Sequence, residues 1–232
     1  MMTVITAELL SNLAALDTPT VCNALEEIDN KFRDRGFTTE PLVCPFPNLK
    51  PIVGVARTGM IRSVRPNKSI GADKRVSYYE YVSKGELPRI AILQDLDGPN
   101  AGHGAFWGEV NSNVHKALGA IGVVTDGCIR DIPDWAEGFQ ALAGSIKPSH
   151  AHVHMLDFGC QVTVSGMVVE HDDLIHADQH GAVVVPKEVA GEVVAAAGRV
   201  AAKEKIILDL CKSQEFSFEK LKNAMLGPKD IH

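Results

Sequence analysis

No run of about eighteen apolar residues occurs in the sequence, so it offers no candidate membrane-spanning helix. The opening residues, MMTVITAELL, carry no basic segment followed by a continuous apolar block. A secretory leader is therefore without support, and a cytoplasmic protein is expected. Cysteine is sparse and unpatterned: Cys22, Cys44, Cys128, Cys160 and Cys211 are scattered, without a C-x-x-C pair or zinc-ribbon spacing. They read as reduced, mostly buried thiols. Basic runs are missing too, aromatic residues make up only 6%, and the formal net charge is −6. Nothing in that composition supplies a positive field for a phosphate backbone, so nucleic acid is not an expected partner. No repeat or low-complexity segment interrupts the chain.

What is present is a globular composition: 232 residues, 45% hydrophobic, enough to bury a sizeable core. Between positions 6 and 27, Leu9, Leu13, Leu16, Val21 and Leu25 recur at roughly helical spacing. The pattern breaks at DTPT, where Asp17 or Thr18 can cap a second helix with Pro19 in its first turn. TTEPLVCPFPNLKP holds four prolines and reads as an irregular connection, and IVGVARTGMIRSV has the β-branched content of a strand. A helix closed by Gly85 leads to an apolar strand at 90–93, and a helix closed by Gly119 leads to a strand through Val124. Helix then strand, twice, points to an α/β core with parallel strands, which hold ligands at their carboxyl ends. Beyond Phe139, short strands with Gly, Asp and His turns suggest a mainly antiparallel second layer, followed by a helix after Pro186 and a weaker amphipathic tail. The expected architecture is one α/β/β-type layered domain over 1–232, with N-terminal helices in 6–28, a mixed-sheet core in 50–186 and C-terminal helices in 187–226.

Asp126, Arg130, Asp131 and Asp134 cluster near the end of the second of those strands. Asp95, Asp97 and Glu109 should lie beside them if the two strands are neighbours. A hard divalent ion such as Mg²⁺ prefers carboxylate and water oxygens and often uses one or two protein carboxylates, so a lone Asp131 can suffice. Arg130 offers a planar fork for a substrate carboxylate. Taken alone, an Arg-Asp dipeptide favours a plainer reading, a helix cap paired with surface neighbours. In HAHVH, His150, His152 and His154 alternate, and on a strand would share one face. Same-face neighbours on a flat strand stand about 7 Å apart, awkward for one ion, so a polar sheet face or a subunit contact is expected. His103 is expected to be a solvated loop residue, and His176 and His180, flanking a turn, take a similarly plain reading. Cys128 has no histidine base nearby in sequence.

The dipeptide does not stand alone. Glu109, twenty intervening residues, then Arg130 and Asp131, set in FWGEVNSNVHKALGAIGVVTDGCIRD, resemble the acidic-x20-R-D motif of the class II pyruvate aldolases. These are the 4-hydroxy-4-methyl-2-oxoglutarate and 4-carboxy-4-hydroxy-2-oxoadipate aldolases, which share a swivelling α/β fold with the regulator of ribonuclease activity A. LDTPTVCNALEE is similar to that family's N-terminal helices and DDLIHADQHGAVVVP to its late strand segment, so three separated segments agree in order. The resemblance implies that Asp131 coordinates Mg²⁺ or Mn²⁺ and that Arg130 binds the pyruvyl part of the substrate. It implies that Glu109 hydrogen-bonds metal-bound water, and that the backbone amides of Val110 and Asn111 hold the substrate carboxylate. A further glutamate would come from a neighbouring subunit in a homotrimer or dimer of trimers. The loop DGPNAGHGAFWGE departs from the family's usual glycines, with His103 inserted on the pocket side. The implied activity is release of pyruvate from a small 2-oxo-4-hydroxy (di)carboxylic acid, with oxaloacetate decarboxylation through the same enolate. The rival is a non-catalytic protein-binding regulator on the same fold. A methyltransferase reading lacks a Gly-rich loop followed by an acidic residue at a second strand end.

Overall fold

The computed structural model describes residues 4–67 and 71–226. Thr6 accepts from the Leu9 amide and opens α1 (Ala7–Leu13); Asp17 accepts from the Thr20 amide at 2.8 Å and opens α2 (Thr18–Ile28), with Pro19 in its first turn. Such a cap is worth about 1 kcal/mol. The proline-rich stretch then runs irregularly along the sheet, joined to it by isolated pairings of Phe37 with Val183 and Val43 with Ala143. The core follows: β1 (Ile52–Arg62), α3 (Ala72–Ser83), β2 (Arg89–Asp95), α4 (Glu109–Ala117), β3 (Ala120–Ile129) and β4 (Gln140–Ile146). Then come β5 (His154–Phe158), the hairpin β6 (Val162–Val164) and β7 (Met167–Val169), β8 (Leu174–Asp178), β9 (Gly181–Val184), α5 (Val193–Lys212) and α6 (Phe218–Leu226).

One mixed sheet has the order β4-β3-β2-β1-β8-β9, its first four strands parallel. The free edge of β1 is shared. Its first half, Ile52 to Val55, pairs antiparallel with β8, and its second half, Gly59 to Arg62, pairs antiparallel with β5. The expected second layer after Phe139 is therefore mostly part of this same sheet; only β6 and β7 form a separate pair. β4, parallel to β3, escaped the sequence reading because QALAGSI is poor in β-branched and aromatic side chains. Smallness is what the site requires, since a Cβ at Gly144 would collide with the Asp126 carbonyl.

Alternation along the strands divides the core. Ala91 and Leu93 face α3 and the segment entering α4, with Tyr78, Trp107, Val123 and Phe139. Ile90 and Ile92 face the hairpin, with Val124, Leu142, Val164 and Met167. A third cluster joins α1, α2 and α5 to β8 and β9 through Leu13, Val21, Leu174, Val183 and Val193. Each fully buried aliphatic side chain contributes about 1.5–3 kcal/mol. His176 ties this third cluster together: its Nε2–H donates to the Leu13 and Leu16 carbonyls at 3.1 Å, and Nδ1 accepts from the Thr18 hydroxyl at 3.0 Å. Burial lowers its pKa, keeping it neutral, so its role is structural.

Candidate active site at the end of the third strand

β2 and β3 are parallel neighbours, so the segments leaving their carboxyl ends meet. β3 runs five residues beyond the expected Val124. Its polar stretch stays in the strand because Thr125 Oγ1 donates to the Leu93 carbonyl at 2.6 Å and Asp126 Oδ1 accepts from the Asp95 amide at 2.6 Å. At the strand's end Ile129 bridges to Trp107, and the Arg130 amide donates to the Trp107 carbonyl at 3.0 Å. This stitches Arg130 and Asp131 to the segment that opens α4.

Asp131 adopts φ 55°, the left-handed region where a residue other than glycine is uncommon. The turn folds its carboxylate back, with Oδ2 3.4 Å from the Glu109 amide nitrogen and 3.5 Å from Arg130 Nε. Only glycine at 108 permits this approach: a Cβ there would stand 2.5 Å from Asp131 Oδ2 and 3.2 Å from Arg130 Cγ. Backbone strain of this kind, of order 1–3 kcal/mol, persists where surrounding structure enforces it, and functional sites are where it concentrates.

A cavity of about 710 Å³ opens here, lined on this part of its wall by Gly108, Val110, Asn111, Arg130 and Asp131. The Asn111 side chain is already committed, accepting from Tyr79 Oη at 2.6 Å and donating to the Phe106 carbonyl. What Asn111 and the exposed Val110 can offer a ligand is therefore backbone N–H, which helix geometry leaves without a carbonyl partner in the first turn. The positive end of the helix dipole lies at the same place. A cation, a carboxylate and a helix amino terminus thus converge on one cavity.

Other expected acids do different work. Asp95 accepts from the Asp97 amide at 3.0 Å and the Gly102 amide at 2.8 Å, while Asp97 accepts from the Ser63 and Val64 amides at 2.6 and 2.9 Å. They brace the loop and, with Asp126, stand outside the set of cavity-lining residues. Asp134 also lies outside it, in the short turn after Asp131. Glu109 brings its amide to Asp131, but its exposed side chain is not part of the lining, and His103 is exposed and likewise outside it. Burial pushes the Cys128 thiol up to about 11, too high for a ready nucleophile.

The HAHVH expectation needs correcting. Only His154 is in a strand; Ala151 sits at φ 44°, breaking the extended run, and His150, His152 and His154 all line the cavity. Imidazole Nδ1–H donates to a carbonyl at 2.8 Å in two of them, His150 to Ala151 and His154 to His152. Each thereby keeps Nε2 as the nitrogen not engaged by its own turn. The turn that defeats the alternation is what a strand pattern cannot reveal.

Among the described residues no three acid, imidazole or thiol groups are grouped to cage a metal ion. Asp131 nevertheless suits a hard ion that keeps most of its waters: its carboxylate is one-third exposed and both of its contacts fall on Oδ2.

Asp126 illustrates the cost of the neighbouring buried acids. Burial, with the Asp95 charge adding to it, pushes its pKa up to about 6 from 3.8. A folded-state value above the unfolded one means stability is fully present below about pH 4 and is lost as pH rises through about 6. Asp126→Asn keeps an oxygen to accept from the Asp95 amide while removing the charge. It is expected to stabilise the protein by on the order of 1–2 kcal/mol at pH 7.5 and by nothing at pH 4, read by denaturant unfolding at both pH values.

Comparison with known proteins places the fold. A solved structure of an uncharacterized protein from Pseudomonas syringae pv. tomato superposes with TM-score 0.71 at 22% identity, covering 96% of each chain. Streptomyces coelicolor RraAS2, described as an unusual member of the RNase ES inhibitor RraA protein family, superposes with TM-score 0.69 at 24% identity, over 87% of this chain and 96% of that one. In sequence, the uncharacterized protein MJ0644 of Methanocaldococcus jannaschii is 32% identical over 118 residues, half of this chain and 57% of that protein's own length. No helix among the described residues is long and apolar enough to cross a membrane. The family model that matches residues 18–184 is RraA-like, Aldolase/RraA, and the chain belongs to that family, which includes both aldolases and ribonuclease-inhibitor proteins.

Proposed function

We propose that the chain is a divalent-metal-dependent aldolase that cleaves a 2-oxo-4-hydroxy acid to release pyruvate. The observation that carries this reading is the convergence of Arg130, Asp131 and the first turn of α4 on one cavity. A protein-binding regulator has no physical need for a strained carboxylate folded against a guanidinium there. Asp131 would hold Mg²⁺ or Mn²⁺, which when bound supplies Lewis acidity toward the substrate's 2-keto oxygen.

The chain's own groups do the rest. The Val110 and Asn111 amides receive the substrate carboxylate, and Arg130 holds the pyruvyl oxygens with its two-pronged donor face. Cleavage breaks the C3–C4 bond as a base removes the 4-hydroxyl proton; the bond's electron pair forms the pyruvate enolate, which takes a proton at C3. Oxaloacetate would lose carbon dioxide through the same enolate. Glu109, whose backbone amide lies 3.4 Å from Asp131 Oδ2 and whose side chain is exposed, would serve the site through metal-bound water.

A coupled assay for pyruvate, run with 4-hydroxy-4-methyl-2-oxoglutarate and with oxaloacetate in the presence of Mg²⁺, tests the reading. Release abolished by chelation and restored by Mg²⁺ or Mn²⁺ supports it; no release from either substrate rejects it. The resemblance to the pyruvate aldolases also calls for an acid from a neighbouring subunit, so a homotrimer or dimer of trimers is expected. Light scattering that returned a monomer mass at assay concentration would count against that assembly.

A further inference from the structure

α3 presents Arg75 and Tyr79, one turn apart, to the cavity. Tyr79 also reaches across to α4: its Oη stands 2.6 Å from Asn111 Oδ1. The polarity of that bond is fixed. Asn111 Nδ2 donates to the Phe106 carbonyl, so Oδ1 is the atom turned to Tyr79 and the phenol must donate. Burial raises the Tyr79 pKa and keeps that proton in place. The preceding residue works on Asn111 from its other side. Tyr78, fully buried, donates from Oη to His115 Nε2 at 3.0 Å, and His115 Nδ1–H donates to the Asn111 carbonyl at 2.7 Å. Burial lowers the His115 pKa to about 4, so the neutral tautomer that this chain needs persists. Two consecutive tyrosines of α3 therefore grip one residue of α4, by its side chain and by its carbonyl.

The grip matters because α4 begins without a cap of its own. Gly108 occupies the position before the helix and has no side chain to bond the first-turn amides. The carbonyl that anchors Asn111 is that of Phe106, and the next one along, Trp107's, accepts from the Arg130 amide at 3.0 Å. The α4 amides and Arg130 are thus tied to consecutive carbonyls. We infer that Tyr79 is a positioning residue, which through Asn111 holds the α4 amides at the spacing from Arg130 that a substrate carboxylate requires. This rests on the assignment of those amides to the carboxylate under the aldolase reading. The carboxylate is held alike before and during bond cleavage, so losing the hydroxyl should weaken affinity rather than turnover.

Tyr79→Phe keeps the ring, which stands edge-on to His115 with centroids 5.6 Å apart, and removes the hydroxyl. Asn111→Ala removes the side chain on which that hydroxyl acts and leaves the backbone amide. Calorimetric titration of pyruvate in Mg²⁺, with wild type, both variants and the double variant, measures the effect without bond cleavage. Each single variant is expected to bind pyruvate about tenfold more weakly, the range of a weakened charge-assisted hydrogen bond. The double variant should be no weaker than Asn111→Ala to within about twofold, because the two substitutions cut one linkage. Mg²⁺ affinity without pyruvate should stay within about twofold throughout, and KM for oxaloacetate should rise with kcat nearly unchanged. Wild-type affinity in Tyr79→Phe overturns the inference. So do losses that multiply in the double variant, which would mean that Tyr79 meets pyruvate itself, and a parallel fall in Mg²⁺ affinity, which would mean a general loosening. The expected binding pattern in a chain that releases no pyruvate from oxaloacetate or 4-hydroxy-4-methyl-2-oxoglutarate would uphold the inference and remove the aldolase reading. Pyruvate release together with wild-type affinity in Tyr79→Phe would do the reverse, and a wild type that neither binds nor releases pyruvate removes both.

Discussion

Asp131→Ala is expected to lower pyruvate release by about a thousandfold, because the polarisation of a keto oxygen by a metal ion is worth several kcal/mol of transition-state stabilisation. The fold should survive: the side chain is one-third exposed, sits past the end of β3, and belongs to no core cluster. Alanine at φ 55° is strained, so Asp131→Asn, a residue that tolerates the left-handed turn, is the cleaner partner variant. Both should lose Mg²⁺-dependent turnover together while unfolding within about 1 kcal/mol of the wild type. Full activity in either, or in chelator-treated wild type, would mean that Asp131 holds no catalytic metal.

Arg130→Lys tests the other half of the pair. Lysine keeps the charge and loses the planar fork, so kcat/KM for oxaloacetate decarboxylation should fall by about 2–3 kcal/mol, roughly 30- to 150-fold. Arg130→Ala should cost more. Metal affinity measured without substrate should change little in either, since Arg130 stands 3.5 Å from Asp131 Oδ2 but is assigned to the substrate. Near-wild-type catalysis by the alanine variant would reduce the dipeptide to the helix cap that it resembles in isolation.

How much of this was legible in the sequence follows from which interactions are local. Asp17 capping α2, Gly85 and Gly119 ending α3 and α4, and the apolar β2 are decided within a few residues, and each appears where the pattern placed it. Arg130 and Asp131 at a strand end were legible because parallel strands put their carboxyl ends together. The three histidines were misjudged because the left-handed turn at Ala151 depends on distant packing: a Cβ on Gly104 would stand 2.5 Å from the His150 carbonyl oxygen. Arg75 carried no signal at all, since a single arginine on a polar helix face becomes a cavity residue only when α3 is seen against the 150–154 turn. Asp126 and Asp97 were read as pocket carboxylates because their real partners, backbone amides of the adjacent strand and loop, lie more than thirty residues away in sequence.

The divided edge of β1 bears on how such a protein can change. Because β8 holds the first half of that strand and β5 the second, and β4 is fixed independently by β3, the segment 147–153 joins two strands whose registers do not depend on its length, and is itself tied down by backbone hydrogen bonds of Lys147 to Ile129, Ala105 to Ser149 and His152 to Ser63. Doubling such a loop costs only about 0.6 kcal/mol in closure entropy. Insertions and exchanges there would remodel the cavity wall that carries His150 and His152 while Arg130 and Asp131 stay in place on β3's end. One wall of the cavity can therefore be rebuilt from a single connecting segment while the strained Arg130–Asp131 corner keeps its geometry.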